Sequence, residues 1–107
     1  MESYTFIQDL LGDVPPIPKD SILSRTLMQN DHLRVILFQF AAGQELSEHT
    51  ASKPAVLHFI SGEAAVTLGE DEQHAQANTY IYMQPHLPHS IMAETDVVML
   101  LVMLENQ

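Results

Sequence analysis

Cysteine is absent from the 107-residue chain, and this absence restricts the chemistry that the protein can use. Without thiols there is neither a disulfide framework nor a thiolate metal site. Any metal must be bound by histidine, carboxylate, amide or water, a donor set that suits divalent Zn, Mn, Fe, Ni or Cu. Two other devices are missing: no serine stands beside a histidine in a recognised nucleophile turn, and no glycine-rich loop is present to bind phosphate.

Lysine and arginine are scarce, with four basic residues against fourteen acidic ones and a formal net charge of −10. Phosphate-rich partners need basic residues, so we expect neither nucleic-acid binding nor attachment to an anionic membrane surface. Long apolar runs are also missing. The longest, Val97–Leu104, has the length of a strand and not of a bilayer-spanning helix. The N-terminal MESYTFIQDL lacks the regions of a signal peptide, so we expect a cytoplasmic protein.

The chain does contain short apolar segments at regular spacing, separated by turn residues. This pattern predicts one all-β domain over 21–107, a sandwich or barrel, preceded by an arm over 1–20. The last strand is apolar on both faces, which favours a central position in its sheet. Residues 50–53 before Pro54 form a predicted loop, and residues 69–73 a predicted acidic turn. The predicted strands lie at 22–28, 33–40, 55–60, 64–68, 80–83, 90–93 and 97–104.

A short helix is predicted within the arm, over residues 4–11. Its apolar residues are spaced i, i+1, i+4 and i+5, which places them on one side of a helix. Gly12 would end this helix, and the three prolines at 15, 16 and 18 would keep the following segment extended.

Histidine is abundant, with six residues placed unevenly along the chain. We expect His32, in a predicted turn, and His74, in an acidic connection, to lie on the surface. The other four fall in two stretches, 43–62 and 80–89, beside strand-like runs: His49, His58, His86 and His89. Neutral imidazole is the commonest metal ligand in proteins. Several imidazoles converging from neighbouring strands would therefore make a transition-metal site with open positions for water or substrate.

The same two stretches resemble the two motifs of the cupin superfamily. The first, Gly43-x5-His49 followed by Gly62, is similar to G-x5-H-x-H-x3-E-x6-G. The second, Asn78-x6-Pro85-x3-His89, is similar to G-x5-6-P-x-G-x2-H. From Leu33 to Met103 the chain looks like a small single-domain cupin. The resemblance implies a double-stranded β-helix, that is a jelly-roll β-barrel, with a metal site at its mouth.

The resemblance also shows which ligands are missing. The second histidine of the first motif falls at Ala51 and the glutamate at Ala55, and alanine cannot bind a metal. Asn78 replaces one glycine, a mild change because asparagine tolerates positive φ. Leu87 stands at the position of the other glycine. Of the usual four ligands, only His49 and His89 remain.

His58 is the candidate for a third ligand, which gives the predicted set His49, His58 and His89. Strict alternation places His58 on the opposite face from residues 55, 57 and 59, whereas a bulge near Pro54 would shift this register. The alternative is a histidine partnered in the core or in an interface. His86 is either exposed or an auxiliary ligand or acid–base group. The predicted substrate pocket is lined by six apolar residues, whose alternative role is simply core: Phe38, Phe40, Phe59, Met83, Ile91 and Met103.

Two functions fit these residues, beside a third reading as a purely structural dimer with no ligand. One is a metal-dependent cupin enzyme of the dioxygenase or isomerase type, acting on a small organic molecule. The other is a non-catalytic cupin that binds or senses a small molecule. A chain this short buries a modest share of its surface, and an arm free to cross to a neighbour favours a homodimer.

Overall fold

A computed structural model describes residues 3–12 and 14–105, and these residues contain nine β-strands and no α-helix. The predicted arm, 1–20, and the predicted barrel, 21–107, each include residues outside the described part. No helix in the described ranges is long and apolar enough to cross a membrane. The strands are β1 Ile22–Gln29, β2 Leu33–Phe40, β3 Glu45–His49, β4 Ala55–Ser61, β5 Ala64–Leu68, β6 Asp71–Ala75, β7 Tyr80–Met83, β8 His89–Ala93 and β9 Val97–Leu104.

The strands form two antiparallel sheets. The five-stranded sheet has the order β1-β2-β9-β4-β7, and the four-stranded sheet has the order β3-β8-β5-β6. Neighbouring strands are mostly distant in sequence, as in a jelly roll. The expected all-β barrel and the central position of β9 are confirmed.

Alternation along each strand divides the five-stranded sheet into an inner and an outer face. In β4, for example, Ala55, Leu57 and Phe59 are buried while the residues between them keep part of their surface exposed. The inner faces of the two sheets pack on one apolar core. Its buried members are Phe40, Ala55, Leu57, Phe59, Ala64, Val66, Ala75, Met83, Ile91, Ala93, Val97 and Met99.

The two edge strands of the four-stranded sheet, β3 and β6, are absent from the sequence-based prediction. Both are largely exposed and rich in polar residues, so no apolar face marks them in the sequence. The predicted turn over residues 69–73 is wrong because only Gly69 and Glu70 make the turn. From Asp71 onward, the chain pairs with β5.

The predicted helix over residues 4–11 is also wrong. The segment contains one bend and a turn but no helix, and most of its apolar side chains are exposed, with Tyr4 at 76% and Phe6 at 75%. A helix this short is marginal in water unless its apolar side packs against something, and here that support is lacking. Farther along, the arm contacts the outer face of the five-stranded sheet, where Gln39 Nε2 donates to the carbonyl oxygen of Pro15 at 2.9 Å.

The barrel has two different ends, which we name the mouth and the closed end. The mouth contains the start of β2 and the loops 50–54 and 84–88, which connect β3 to β4 and β7 to β8. The closed end contains the turns at residues 62–63 and 94–96. Strand registers place Arg34, Ala55 and His89 toward the mouth, whereas Phe40, Ala64 and Val97 lie toward the closed end.

Candidate functional site

The mouth brings together two of the predicted ligands, His49 and His89. They are directly opposite each other on β3 and β8. Their ring centroids are 4.2 Å apart and the ring planes are inclined by 58°. A register shift between Leu46 and His49 interrupts the pairing just before this point. Such irregularities re-aim side chains at the rims of barrels, and this one lies beside the histidine pair.

Hydrogen bonds define which nitrogen of each ring is available. His49 Nδ1 lies 2.8 Å from the carbonyl oxygen of Ser47, and His89 Nδ1 lies 2.9 Å from that of Leu87. A carbonyl oxygen only accepts hydrogen bonds, so each Nδ1 carries a proton and donates it. In a neutral imidazole, Nε2 then has the free lone pair. This is the arrangement found in metal-binding histidines, whose second nitrogen usually donates to a carbonyl or carboxylate.

The two rings differ in exposure. His49 is exposed, whereas His89 is buried with only 7% of its surface accessible. Burial lowers the pKa of His89 below its ordinary value of 6.5, because the interior disfavours the charged ring. The hydrogen bond to the Leu87 carbonyl opposes this change, and repulsion by His49 adds to it. His89 is therefore a neutral donor at physiological pH.

Alanine occupies the places where further ligands would stand. Ala55 is buried on the inner face of β4, and Ala51 lies in the mouth loop, where its carbonyl accepts from the His86 N–H at 2.7 Å. Within residues 3–12 and 14–105, no three side chains of histidine, cysteine, aspartate or glutamate are arranged to hold a metal ion. The donor set thus fits an ion held by two imidazoles, with its remaining positions filled by water or ligand, and does not fit a closed protein site.

His58 does not join the pair. It lies on the outer face of β4, half-buried, between Tyr80 of β7 and Leu100 of β9. The only register shift in the pairing of β4 with β9 falls between Phe59 and Ser61, beyond His58. His58 therefore stays on the opposite face of β4 from Ala55 and Leu57. His58 lies on a sheet face away from the histidine pair, and its role in an interface stays a prediction.

His86 is exposed in the loop 84–88 and has a φ of 70°. Positive φ is uncommon for a residue other than glycine. The resemblance to the second motif aligns its missing glycine with Leu87, but the residue with a left-handed backbone conformation is His86. Asn78, at 74°, adopts the conformation expected for the other glycine. The loop with His86 lines a surface groove of about 530 Å³ beside the mouth.

The remaining predicted residues lie as follows. His32 and His74 are exposed, and His74 lies 3.0 Å from a carboxylate oxygen of Glu63 and 3.3 Å from one of Glu94. These two carboxylates approach opposite nitrogens of the ring, so they cannot share one metal ion with it. Of the predicted pocket residues, four are buried in the core: Phe40, Phe59, Met83 and Ile91. Phe38 packs on this core, and Met103 is half-buried toward the mouth.

Arg34 is a mouth residue that the sequence analysis missed. It is on β2, in register with Met103, which is in turn in register with Ala55. A signal was present in the sequence: Arg34 shares its parity with Ile36, Phe38 and Phe40, which marks it as a basic residue on an apolar strand face.

Two packed antiparallel sheets, with a pair of histidines at one open end, define a jelly-roll barrel protein with a candidate ligand site in its mouth. A family model described as "Cupin domain" matches residues 36–105. The chain belongs to the cupin family. No curated protein matches this sequence.

Solved structures similar to this chain have the same fold. A conserved protein of unknown function from Streptococcus pyogenes is 29% identical, with a TM-score of 0.84 over 99% of this chain and 92% of its own. An RmlC-like cupin from Shewanella frigidimarina is 18% identical, with a TM-score of 0.80 over 100% and 94%. A point mutant of salicylate 1,2-dioxygenase from Pseudoaminobacter salicylatoxidans is 16% identical, with a TM-score of 0.73, and matches 77% of this chain but only 26% of its own.

Proposed function

We propose that this cupin binds a divalent transition metal ion through His49 Nε2 and His89 Nε2, and a small organic molecule beside it in the mouth. One observation carries the proposal: both rings donate through Nδ1 to backbone carbonyls and keep Nε2 free, with their centroids 4.2 Å apart. The ion is Zn, Mn, Fe, Ni or Cu, the ions that imidazole ligands suit.

The residues of the chain have distinct tasks in this proposal. The carbonyls of Ser47 and Leu87 orient the two rings and fix their protonation state. The buried core below the mouth keeps water away from the inner side of His89. A bound divalent ion supplies Lewis-acid activation of an oxygen atom on the small molecule. If the protein is an enzyme, we propose that its reaction is of the oxygenase or isomerase type.

The alternative is a non-catalytic cupin that binds or senses a small molecule. Ala51 and Ala55 favour it, because a site with two protein ligands binds an ion more weakly than one with four. A cytoplasmic location remains the expectation from the sequence.

Metal titration tests the proposal. Untagged, chelator-treated protein is titrated with Ni²⁺ and Zn²⁺ by calorimetry at pH 7.5. The parent should bind one ion per chain, and His49→Ala and His89→Ala should each weaken binding by at least about tenfold, as loss of one ligand implies. His58→Ala is the matched control and should bind as the parent does. An absence of uptake by the parent, or a loss confined to His58→Ala, would contradict the proposal.

A gain of affinity provides the complementary test. Ala55→Glu places a carboxylate on the inner face of β4 at the motif position of the missing ligand. We expect it to tighten metal binding by about tenfold or more, as a third ligand should. Val56→Glu is the control. It adds the same charge at the next residue, which faces outward from β4, and should leave the metal affinity unchanged. Equal affinities for the two variants would show that the ion binds elsewhere.

We also propose that two copies of the chain form a homodimer through the outer face of the five-stranded sheet. Large exposed apolar side chains concentrate on the arm and on β7, where Tyr80 is 66% and Tyr82 53% exposed. Val56, Leu100 and Val102 continue this apolar face inward from β7. The arm of one copy, with Tyr4 and Phe6, provides the apolar cover that the face of the other copy lacks. Sedimentation velocity should show a dimer for the parent and a monomer for the double variant Tyr80→Ser/Tyr82→Ser. A monomeric parent would refute the pairing.

A further inference from the structure

Arg34 lies on the wall of the barrel that faces the histidine pair. Alternation along β2 places it on the same face as Phe38 and Phe40, which contact the core. It begins a row across the five-stranded sheet at the mouth, in register with Met103 and then Ala55. Two loops lie at the same end of the barrel. Loop 50–54 directly follows His49, and loop 84–88 directly precedes His89. Arg34 and the two imidazoles therefore share one end of the barrel.

The side chain of Arg34 is incompletely satisfied. Its Nε is buried and has no hydrogen-bond partner in the part of the chain that the structure describes, while the residue as a whole keeps part of its surface exposed. Among the described residues, no carboxylate forms an ion pair with it. An unpaired buried donor is costly, and native structures contain few of them. The chain has fourteen acidic residues, and yet none of those that the structure describes is such a partner for this arginine.

We propose that Arg34 anchors the carboxylate of a small organic acid bound in the mouth, with the two terminal nitrogens of the guanidinium donating in parallel to the two carboxylate oxygens. A guanidinium is always charged, and its planar fork matches a carboxylate in this way. The apolar side chains beside it, Met103 among them, contact the hydrocarbon part of the acid. The position of the ligand rests on the proposed function, but its recognition by Arg34 does not require a metal.

A monocarboxylate fits this site better than a phosphate does. The chain bears a formal net charge of −10 and only four basic residues, so its overall field opposes dianions. Arg34 supplies one positive charge, which one carboxylate neutralises. The preferred ligand is thus an acid with a single carboxylate and an apolar body.

The experiment uses benzoate as the probe and benzamide as its neutral isostere. Binding is followed by ¹H–¹⁵N chemical-shift changes at pH 7.5 in buffer with a chelator, so that metal binding cannot contribute. Benzoate should bind the parent at least about tenfold more tightly than benzamide, as a charge-assisted bidentate contact implies. The shifted amides should lie in β2, β9 and the two mouth loops.

Three variants assign the effect. Arg34→Met keeps the length of the side-chain stem and should lose at least about tenfold in benzoate affinity with no change for benzamide. Arg34→Lys keeps the charge but not the planar guanidinium, so its benzoate affinity should lie between those of the parent and Arg34→Met. Arg25→Met, on the exposed outer face of β1, removes the same charge from the chain and should match the parent. A spectrum that changes only near the substituted residue confirms that each variant is folded.

The outcomes separate this inference from the proposed metal site. Equal affinity of parent and Arg34→Met for benzoate overturns it, and so does equal affinity of the parent for benzoate and benzamide. His49→Ala and His89→Ala should retain benzoate binding within about threefold in the chelator buffer, because Arg34 provides the main charged contact. A protein that binds benzoate but no metal would refute the metal site and support the carboxylate anchor.

Discussion

The two ends of the barrel are built differently. At the closed end, backbone groups are paired with the opposite turn: the Glu63 N–H donates to Thr95 Oγ1 at 3.0 Å, and the Glu94 N–H to the Glu63 carbonyl at 2.9 Å. At the mouth, Arg34 Nε has no hydrogen-bond partner within residues 3–12 and 14–105, and His49 is exposed. Because the closed end pairs its polar groups across two turns, we expect it to contribute mainly to stability, whereas the unpaired Arg34 nitrogen belongs to the end where we propose binding.

The largest expected effect concerns glycine at the closed end. Gly62 has a φ of 90°, and a Cβ there would overlap the carbonyl oxygen of Asp96 and lie 2.9 Å from the Cα of Val97. We expect Gly62→Ala to lower the free energy of unfolding by about 3 kcal/mol or more, the sum of backbone strain and overpacking. Urea unfolding at fixed protein concentration measures it.

Gly43 provides the control for this prediction. Its φ is 86°, but a Cβ added there meets no atom within 4 Å. Gly43→Ala should therefore cost only the backbone strain, about 1 kcal/mol. Equal losses for the two variants would show that the close packing of the two closed-end turns contributes nothing.

The second prediction has the opposite sign and concerns the mouth. Arg34→Met removes a buried donor that is unpaired among the described residues and keeps an apolar stem, so it should raise the free energy of unfolding by about 1 kcal/mol. Arg25→Met, on an exposed position of β1, should change it by less than about 0.5 kcal/mol. A lower stability of Arg34→Met would mean that the guanidinium supports the fold, and the contrast between the two ends would fail.

A matched pair of threonines sharpens the comparison further. Thr95→Val removes the hydroxyl that accepts from the Glu63 N–H at the closed end and should cost about 0.5 to 1 kcal/mol. Thr50 is exposed in the mouth loop, and its side chain makes no hydrogen bond with the described residues. Thr50→Val should therefore leave stability unchanged within about 0.5 kcal/mol. The same denaturant titration measures both, and an equal loss would contradict the distinction.

The predictable part of the fold was the part that buries apolar residues. Alternation and turn residues placed the strands that pack on the core, and the uninterrupted apolar run of β9 indicated its central position. The edge strands β3 and β6 have almost no buried side chains, so hydrophobic periodicity could not reveal them. The arm shows the reverse error, because helical spacing means little when no surface covers the apolar residues.

The candidate site was predictable only in part, for similar reasons. The motif resemblance drew attention to His49 and His89, which the register places opposite each other. Alternation in β4 already placed His58 on the outer face, and the structure has it there. The left-handed conformation of His86 could not be deduced from the sequence. The segment from Pro85 to His89 is one residue shorter than the motif P-x-G-x2-H, so the sequence does not show which residue takes the place of the glycine.

The smallest expected effect is the pH dependence caused by His89. Its pKa in the folded protein lies below 6.5, the ordinary value that it regains on unfolding. Above this value both states are neutral and the contribution to stability is complete. As the pH falls through 6.5, the unfolded chain binds the proton first, so the free energy of unfolding decreases until the folded-state pKa is reached. Between pH 7.5 and 5.5 in chelator, the parent should therefore lose more stability than His89→Gln.

The control for this measurement is His32→Gln, which also removes one histidine but leaves His89 in place. The contacts of His74 with Glu63 and Glu94 are present in all three proteins, so their contribution cancels in the difference. A slope for His89→Gln as steep as that of the parent would show that burial of this ring does not oppose its protonation. Water would then reach the ring of His89 as readily as it reaches the ring of His49.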